Sequence, residues 1–474
     1  MPTSIQVLQP ADYEQVHERS LKVLAETGVQ VMSARAREIL RGAGADVDES
    51  TRRARLGRTM VEQSLQQVTK RFRLGGRRPD WSLEMNAGGC WMVADGGAVS
   101  ALDVKTGEVR PGTFEDWHTA TRLIDAIDEI GVYWNMVEGG FGDTAADYLN
   151  YWRTLIGSCS KHIQDSVDSV ERARLLVQVL DLAFGGRQGL RQNHPFSYVL
   201  CPMSPLVIDE TYTEAWLETV GWEIPVAIMP MPLMGATAPA TPLSALLVAN
   251  IDFLATFCLV QAASPGLPVL YSPVAHSVEP HSWRYTGGAI ENSVLGAAVT
   301  GMGRYYGFPV EASAGGTDQY RPGAQAAYER ALNWSLPTLS WPDLLVGPGL
   351  LAGSTLLSID QMLLDVEVFR RCERMRQGIS TQADAWLDEL LADRGPGANF
   401  VSQKSTLKAL RSGGFYLSSL GFHGTLDEWQ SAGKPDVLDE LAERRHSILE
   451  KHRPMPLDPA LDREFGRLAK QFED

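Results

Sequence analysis

The densest cluster of chemically capable side chains is Gly315-Gly316-Thr317-Asp318-Gln319-Tyr320-Arg321, directly after the apolar run Pro309 to Ala312. Paired glycines let a backbone turn sharply or approach a ligand closely, and a hydroxyl, a carboxylate and a carboxamide follow at once on the same loop. Asp318 and Gln319, together with Glu279, are the candidates for catalytic work, since such groups hold or move protons and balance developing charge. The competing reading is a plain turn in which Asp318 caps the next helix. Further candidates stand in or near other apolar runs: Tyr133, then His162, Gln164 and Asp165, then Tyr271 and His276, and finally Trp341. With Thr317 and Arg321 they make up the candidate substrate-binding set. Aromatic faces attract quaternary ammonium groups at about 0.5–2 kcal/mol each, so Tyr133, Trp134, Tyr271, Trp283, Tyr285 and Trp341 are informative together, although each taken singly reads more readily as core. Met229, Met231 and Met234, interleaved with Pro230 and Pro232, form either core packing or an adaptable apolar contact. Gly347-Pro348-Gly349 makes a second small-residue loop, a turn or a place where a large flat group is admitted.

Several chemistries lack their signatures. The nine histidines include no HExxH or HxH pair, and His276 and His281 lie five apart in a proline-containing loop, so no metal is expected to be bound by this chain alone. No GxSxG elbow, Walker loop or GxGxxG after the first strand occurs. With 58 acidic against 43 basic residues the formal charge is −15. No basic run offers a phosphate-tracking surface, and nucleic acid is not an expected partner. The five cysteines contain no close pair, which fits a reducing cytoplasm. Asp12, Glu14, Glu18 and Glu26 break the apolar character that a signal peptide needs. Asn250, Asp252, Gln261 and Pro265 interrupt Leu243 to Leu270, which therefore reads as a buried core helix and not as a membrane span.

The elements that must position these residues follow a repeated grammar. Residues 11 to 27 predict an amphipathic helix ended near Gly28, and Ser33 caps a second over Ala34 to Arg41. Residues 82 to 112, punctuated by Gly88-Gly89, Gly96-Gly97 and Pro111-Gly112, predict a small β-meander. From Thr113, a helix N-cap, strands alternate with helices. Strand candidates are Gly131 to Val137, His162 to Val167, Phe196 to Cys201, Val226 to Met231, Val269 to Val274, Pro309 to Ala312 and Leu344 to Val346. Short continuous apolar runs followed by helices indicate a parallel sheet buried on both faces, and a count approaching eight favours an α/β fold of the (β/α)8 TIM-barrel type. The expected organisation is an N-terminal helical and β-meander addition over residues 1–112, the barrel over 113–425 and a C-terminal helical extension over 426–474.

The ordered motifs resemble the trimethylamine methyltransferase family, the corrinoid-dependent methylamine and betaine methyltransferases, across nearly the whole chain. The resemblance is carried by His17-Glu18-Arg19-Ser20-Leu21 through Thr27-Gly28-Val29, Gly44-Ala45-Asp46-Val47-Asp48, Asp103-Val104-Lys105-Thr106-Gly107-Glu108-Val109-Arg110-Pro111-Gly112-Thr113, Ser160-Lys161-His162, Gly315-Gly316-Thr317-Asp318 and Gln325-Ala326-Ala327-Tyr328-Glu329. It implies a barrel that moves a methyl group from an amine to the cobalt of a corrinoid (cobalamin) held by a small corrinoid-binding partner protein, working as a homodimer or higher homo-oligomer.

The founding members of the family use pyrrolysine, and this chain has none. A quaternary amine already carries the positive charge and departs as a neutral tertiary amine, so no reactive electrophilic residue is needed. The resemblance therefore implies demethylation of a quaternary amine such as glycine betaine. Aromatic faces would hold the ammonium, and His162, Gln164, Thr317, Gln319 and Arg321 are the candidate donors to a betaine carboxylate. Gly315, Gly316, Gly347 and Gly349 would let the corrinoid ring approach. The chain departs from the family pattern at Gln319-Tyr320, at Pro322-Gly323 and at Ser402-Gln403-Lys404, all positions that bear on the substrate. The alternatives are a non-catalytic quaternary-ammonium-binding barrel and a barrel lyase or decarboxylase using His162, Asp165 and Glu279.

Overall fold

In the computed structural model, which describes residues 4–472, eight parallel strands pair side by side around a ring. They are β1 (Trp91–Val93), β2 (Ile130–Tyr133), β3 (His162–Asp165), β4 (Phe196–Leu200), β5 (Val226–Ile228), β6 (Val269–Tyr271), β7 (Glu311–Ser313) and β8 (Leu344–Val346). Strand β1 pairs with β8 on one side and β2 on the other. The ring closes between β6 and β7 through a parallel bridge from Tyr271 to Val310, where the Tyr271 N–H donates to the Pro309 carbonyl at 2.9 Å. Each strand leads to a helix packed outside it: α1 (Phe114–Ala126), α2 (Ala145–Ser158), α3 (Val170–Phe184), α4 (Thr211–Leu217), α5 (Pro242–Ala263), α6 (Ile290–Tyr306), α7 (Ala324–Leu339) and α8 (Ile359–Gln377), with a further short helix, Gly186–Asn193, after α3. The molecule is a (β/α)8 TIM barrel with helical additions.

Seven of these strands coincide with the runs named above. The eighth, Trp91–Val93, is the stretch read there as part of the meander; it is the first barrel strand and lies within residues 1–112. Three residues between two glycine pairs carry too little local signal to reveal a strand, and only its pairing with both β8 and β2 does so. The two strands after it, Ser100–Leu102 and Val109–Pro111, do form a hairpin, whose Asp103 carboxylate accepts the N–H groups of Lys105 at 2.9 Å and Thr106 at 3.0 Å. That hairpin is extended by Leu356–Leu357 and Leu350–Leu351 from the loop after β8, so the first and last units are knit together beside the mouth.

Local chemistry sets the helix boundaries. Thr113 caps α1 in a reciprocal capping box with Asp116, and Thr144 does the same for α2 with Asp147. The N-terminal helix runs Pro10–Glu26 and stops at Gly28, whose φ of 71° is in the left-handed region and whose missing Cβ would lie 2.4 Å from the Ala54 carbonyl oxygen. Helix α5 is apolar and long enough to cross a membrane, yet its residues are mostly buried. It packs against Pro10–Glu26, Ala34–Gly42 and Arg58–Gln67, which accounts for its apolar circumference.

Alternation along the strands separates two cores. Val93, Val132, Val199, Ala227, Leu270 and Leu344 fill the barrel, and its N-terminal end is plugged by Phe72, Leu74, Leu83 and Met85 around the hairpin Arg73–Gly75 and Ser82–Glu84. Their strand neighbours, among them Ile163, Tyr198 and Val226, point outward into the larger core under the helices. The C-terminal segment packs on the outside: Val437–Lys451 lies on α8 and α1, and Pro459–Ala469 on α2, where Arg153 grips Asp462 through two contacts of 2.6 and 2.8 Å.

Candidate active site

Residues beyond the strand ends shape a cavity of about 400 Å³ at the C-terminal mouth of the barrel, within the range of small-molecule sites. Asp95 and Gly96 enter it after β1, Trp134 after β2, and Met229, Met231 and Leu233 after β5. Val274, His276 and Tyr285 follow β6, and Ser313 with Gly315, then Val346 with Gly347, close the remaining wall beside Ser354. The apolar runs seen in the sequence overshoot their strands for this reason. Trp134, Met229 and Val274 extend the hydrophobic pattern because they line a cavity, not because the ladder continues.

The polar groups of the wall are tied to one another. The half-buried Asp95 carboxylate accepts Ser354 Oγ at 2.8 Å and the Gly96 N–H at 3.0 Å. Burial pushes its pKa up, while the Arg330 guanidinium and these two hydrogen bonds pull it back. His276 stacks on Tyr285, with centroids 5.3 Å apart at 23°, and its Nε2 hydrogen-bonds Ser313 Oγ at 2.9 Å. Burial pushes its pKa down to about 4, so the imidazole is neutral at pH 7. Among the described residues no lysine or arginine lines the cavity. Behind the wall, Arg330 is fully buried and donates to the carbonyls of Gly315, Gly347 and Leu350, with Asp365 3.6 Å away as its counter-ion.

Beneath this level the barrel holds a buried polar layer. Glu311 Oε2 accepts Ser272 Oγ at 2.9 Å and Gln164 Nε2 at 3.2 Å, and Oε1 has no partner among the described residues. Burial raises the Glu311 pKa to about 7.

Of the residues singled out in the sequence, His276, Gly315 and Gly347 reach the cavity, joined by Trp134, Tyr285, Met229 and Met231. The others do not. His162 starts β3 at the opposite end of the barrel: its Nδ1 donates to the His194 and Gly75 carbonyls at 2.9 and 3.2 Å, and its Nε2 accepts from Ser197 Oγ at 2.8 Å. Burial lowers its pKa to about 3, and it is a neutral structural group. Gln164 belongs to the polar layer. Tyr133 and Tyr271 point outward, the first accepting from Trp117 Nε1 at 3.1 Å and the second donating to Asn250 Oδ1 at 3.0 Å. Both lie one residue away from inward-facing neighbours, Val132 and Leu270, so strand alternation alone turns them from the lumen. Trp341 precedes β8 and stacks under the Arg376 guanidinium at 4.1 Å.

The Thr317 to Arg321 loop stabilises its neighbours instead of facing the cavity. Thr317 donates to Glu329, and Asp318 accepts from the Thr286 hydroxyl and from the N–H groups of Gly287 at 2.8 Å and Gly288 at 3.2 Å. It therefore ties the loop after β6 to the loop after β7 and does not cap the next helix. Gln319 donates to Gln325 at 3.1 Å, and Arg321 is exposed on the loop. Glu279 accepts the N–H groups of His281 and Ser282 at 2.9 and 2.6 Å within its own turn, which holds its pKa below the usual carboxylate range. Asp165, by contrast, is raised to about 7 by burial. His162, Asp165 and Glu279 share no hydrogen-bonding partner, so the geometry gives a lyase reading no support.

The four glycines divide. Gly347 takes a φ of 142° and a Cβ there would lie 3.3 Å from the Gly315 carbonyl oxygen, so its smallness serves backbone packing around Arg330. Gly349 faces Met136 and Met362, and Gly316 faces the backbone of Gly287. All four are buried.

Asp95 is a cavity-lining carboxylate that the sequence alone did not single out. Its signal was the Gly96-Gly97 pair that follows it, a small-residue turn like Gly315-Gly316, but Trp91–Val93 first had to be recognised as a strand.

Comparison with known proteins shows the family. The trimethylamine methyltransferase (MTTB) family matches residues 2–471. A trimethylamine methyltransferase MttB of Desulfitobacterium hafniense is 28% identical over 459 residues, covering 97% of this chain and 92% of that protein. A glycine betaine methyltransferase of the same species is 24% identical over 458 residues, covering 96% and 95%. Among solved structures, the monomethylamine methyltransferase MtmB of Methanosarcina barkeri aligns over 93% of this chain and 92% of its own, with a TM-score of 0.47 and 13% identity. By the extent of that family match, the chain belongs to the trimethylamine methyltransferase family.

Proposed function

We propose that this methyltransferase moves a methyl group from a quaternary amine to the corrinoid of a separate small protein. The observation that carries the reading is the mouth cavity, in which the rings of Trp134 and Tyr285, the thioethers of Met229 and Met231 and one carboxylate, Asp95, surround a volume suited to a small organic cation. The relative named a glycine betaine methyltransferase supports the substrate class, since glycine betaine is a quaternary amine.

The corrinoid, when presented at the mouth, supplies a Co(I) nucleophile for the methyl carbon. The chain's own contribution is binding and alignment. Ring faces hold the ammonium, the apolar wall excludes water, and a bound amine with one methyl turned outward is preset for in-line displacement. The nitrogen leaves as a neutral tertiary amine, so no general acid is required, and the neutral state of His276 accords with that.

The rim suits a protein carrier. Large apolar side chains stand exposed on loops that follow five different strands: Val99 (61% exposed), Met203 (61%), Met231 (48%), Trp283 (63%) and Tyr320 (65%). Gly97, on the loop after β1, is exposed with open space where a Cβ would stand, whereas glycines 315, 316, 347 and 349 are buried. Exposed large apolar side chains on the loops around a concave site suit the docking of another protein.

The test is an anaerobic assay with free cob(I)alamin, following loss of its absorbance with glycine betaine, proline betaine, carnitine, choline, tetramethylammonium and trimethylamine. At least one quaternary amine is expected to react and trimethylamine is not. Reaction with trimethylamine alone, or none with any amine, overturns the proposal.

A further inference from the structure

We propose that Asp95 is the counter-ion of the substrate ammonium and that the substrate is a quaternary amine without a carboxylate, of the tetramethylammonium or choline type. The inference rests on the quaternary-amine reading above and narrows it.

The charge balance of the cavity carries the argument. Asp95 is the one acidic residue in the wall, and no lysine or arginine accompanies it among the described residues. A cation bound in the cavity therefore lies among the Trp134 and Tyr285 side chains and a carboxylate, and such attractions strengthen where water is excluded. A zwitterion such as glycine betaine gains the same contacts at its ammonium, but its carboxylate must also be buried, in a site whose fixed charge has the same sign. Burying a carboxylate is costly unless charge-assisted donors receive it.

Those donors are engaged elsewhere. Arg330, the guanidinium behind the wall, gives its two terminal NH2 groups to the carbonyls of Gly315, Gly347 and Leu350, and its Nε faces its counter-ion Asp365 at 3.6 Å. Within the wall, Ser354 donates to Asp95, and Ser313 is engaged by His276 and by the Gly315 N–H at 3.2 Å. His276 is neutral and supplies no charge. The residues the sequence offered for a carboxylate, His162, Gln164, Thr317 and Gln319, are bonded to other groups, and Arg321 is exposed outside the cavity.

Isothermal titration calorimetry on the full chain, with tetramethylammonium, choline and glycine betaine and without corrinoid, tests this directly. Tetramethylammonium or choline is expected to bind roughly tenfold or more tightly than glycine betaine, the scale of one buried like-charge contact. Asp95→Asn is expected to weaken the cations by a similar factor while leaving glycine betaine nearly unchanged, so that the preference collapses. A merely structural role of Asp95 would weaken all ligands together. Glycine betaine binding as tightly as choline in the wild type, absence of binding by any cation, or a preference retained in Asp95→Asn overturns the inference. The wild-type ratio needs no variant to fold. Cation binding without methyl transfer to cob(I)alamin would overturn the function proposed above while leaving this assignment standing.

Discussion

Replacing Glu311 by Gln should reverse the order of stability between acid and alkaline pH. Glu311 is fully buried in the barrel, accepts two neutral donors through Oε2 and leaves Oε1 without a partner among the described residues. Burial raises its pKa from 4.5 to about 7. The folded protein therefore holds a proton that the unfolded chain releases between these values, so stability is greatest below pH 4.5 and falls as pH rises toward 7. At about 1.4 kcal/mol per pH unit, the full loss is about 3 kcal/mol, of which roughly 2 kcal/mol falls between pH 5 and pH 8. Glutamine keeps an acceptor for Ser272 and Gln164 and carries no charge, but its NH2 takes the partnerless place of Oε1 at a pH-independent cost of about 1 kcal/mol. The two proteins are then about equally stable near pH 5, the wild type is the more stable below pH 4.5, and Glu311→Gln is the more stable near pH 8 by about 2 kcal/mol. Urea unfolding of both proteins at pH 5, 6, 7 and 8 measures the difference. With a slope near 3 kcal/mol/M, the gap between midpoints should move by about 0.7 M across the range. A gap that stays constant with pH would refute the reasoning, because it would mean that Glu311 is as fully ionised in the folded chain as in the unfolded one across the range.

Arg330→Met should destabilise the fold by about 3–5 kcal/mol, since it strands the fully buried Asp365 and three carbonyls, and Asp365→Asn added to it should restore part of the loss in the same urea assay. Trp283→Asp, at an exposed rim position whose φ of 59° aspartate tolerates, should reduce methyl transfer to protein-bound corrinoid by about 10- to 100-fold while sparing transfer to free cob(I)alamin; equal loss in both assays would remove this ring from the docking face.

Much of the fold was legible before any coordinates. Seven of eight barrel strands announce themselves as apolar runs, and Ser33 and Thr113 cap the helices that follow them. These are local signals, carried by side-chain propensity and by hydrogen bonds a few residues long. The buried character of α5 was legible too, because its polar interruptions are chemical facts of the sequence.

The site was less legible. A strand of a parallel barrel is buried on both faces, so its hydrophobic pattern does not say which alternate residues face the lumen. Tyr133 and Tyr271 read as ring faces for a ligand, and the pleat turns both toward the helices, whereas Trp134, one residue further on, lines the cavity. Strand direction is equally silent in composition: His162 lies at the start of β3 and meets the plug of the barrel, not its mouth. Asp318 sits at the expected strand end, but its carboxylate is claimed by the backbone of a loop some thirty residues away. The recognition of Trp91–Val93 as a strand, and with it the placing of Asp95 in the cavity wall, depends on pairing partners that are 38–39 and 253 residues distant. The sequence by itself determined the elements and the chemistry on offer; only closure of the barrel, a long-range pairing constraint, decided which of those groups face one another across the cavity.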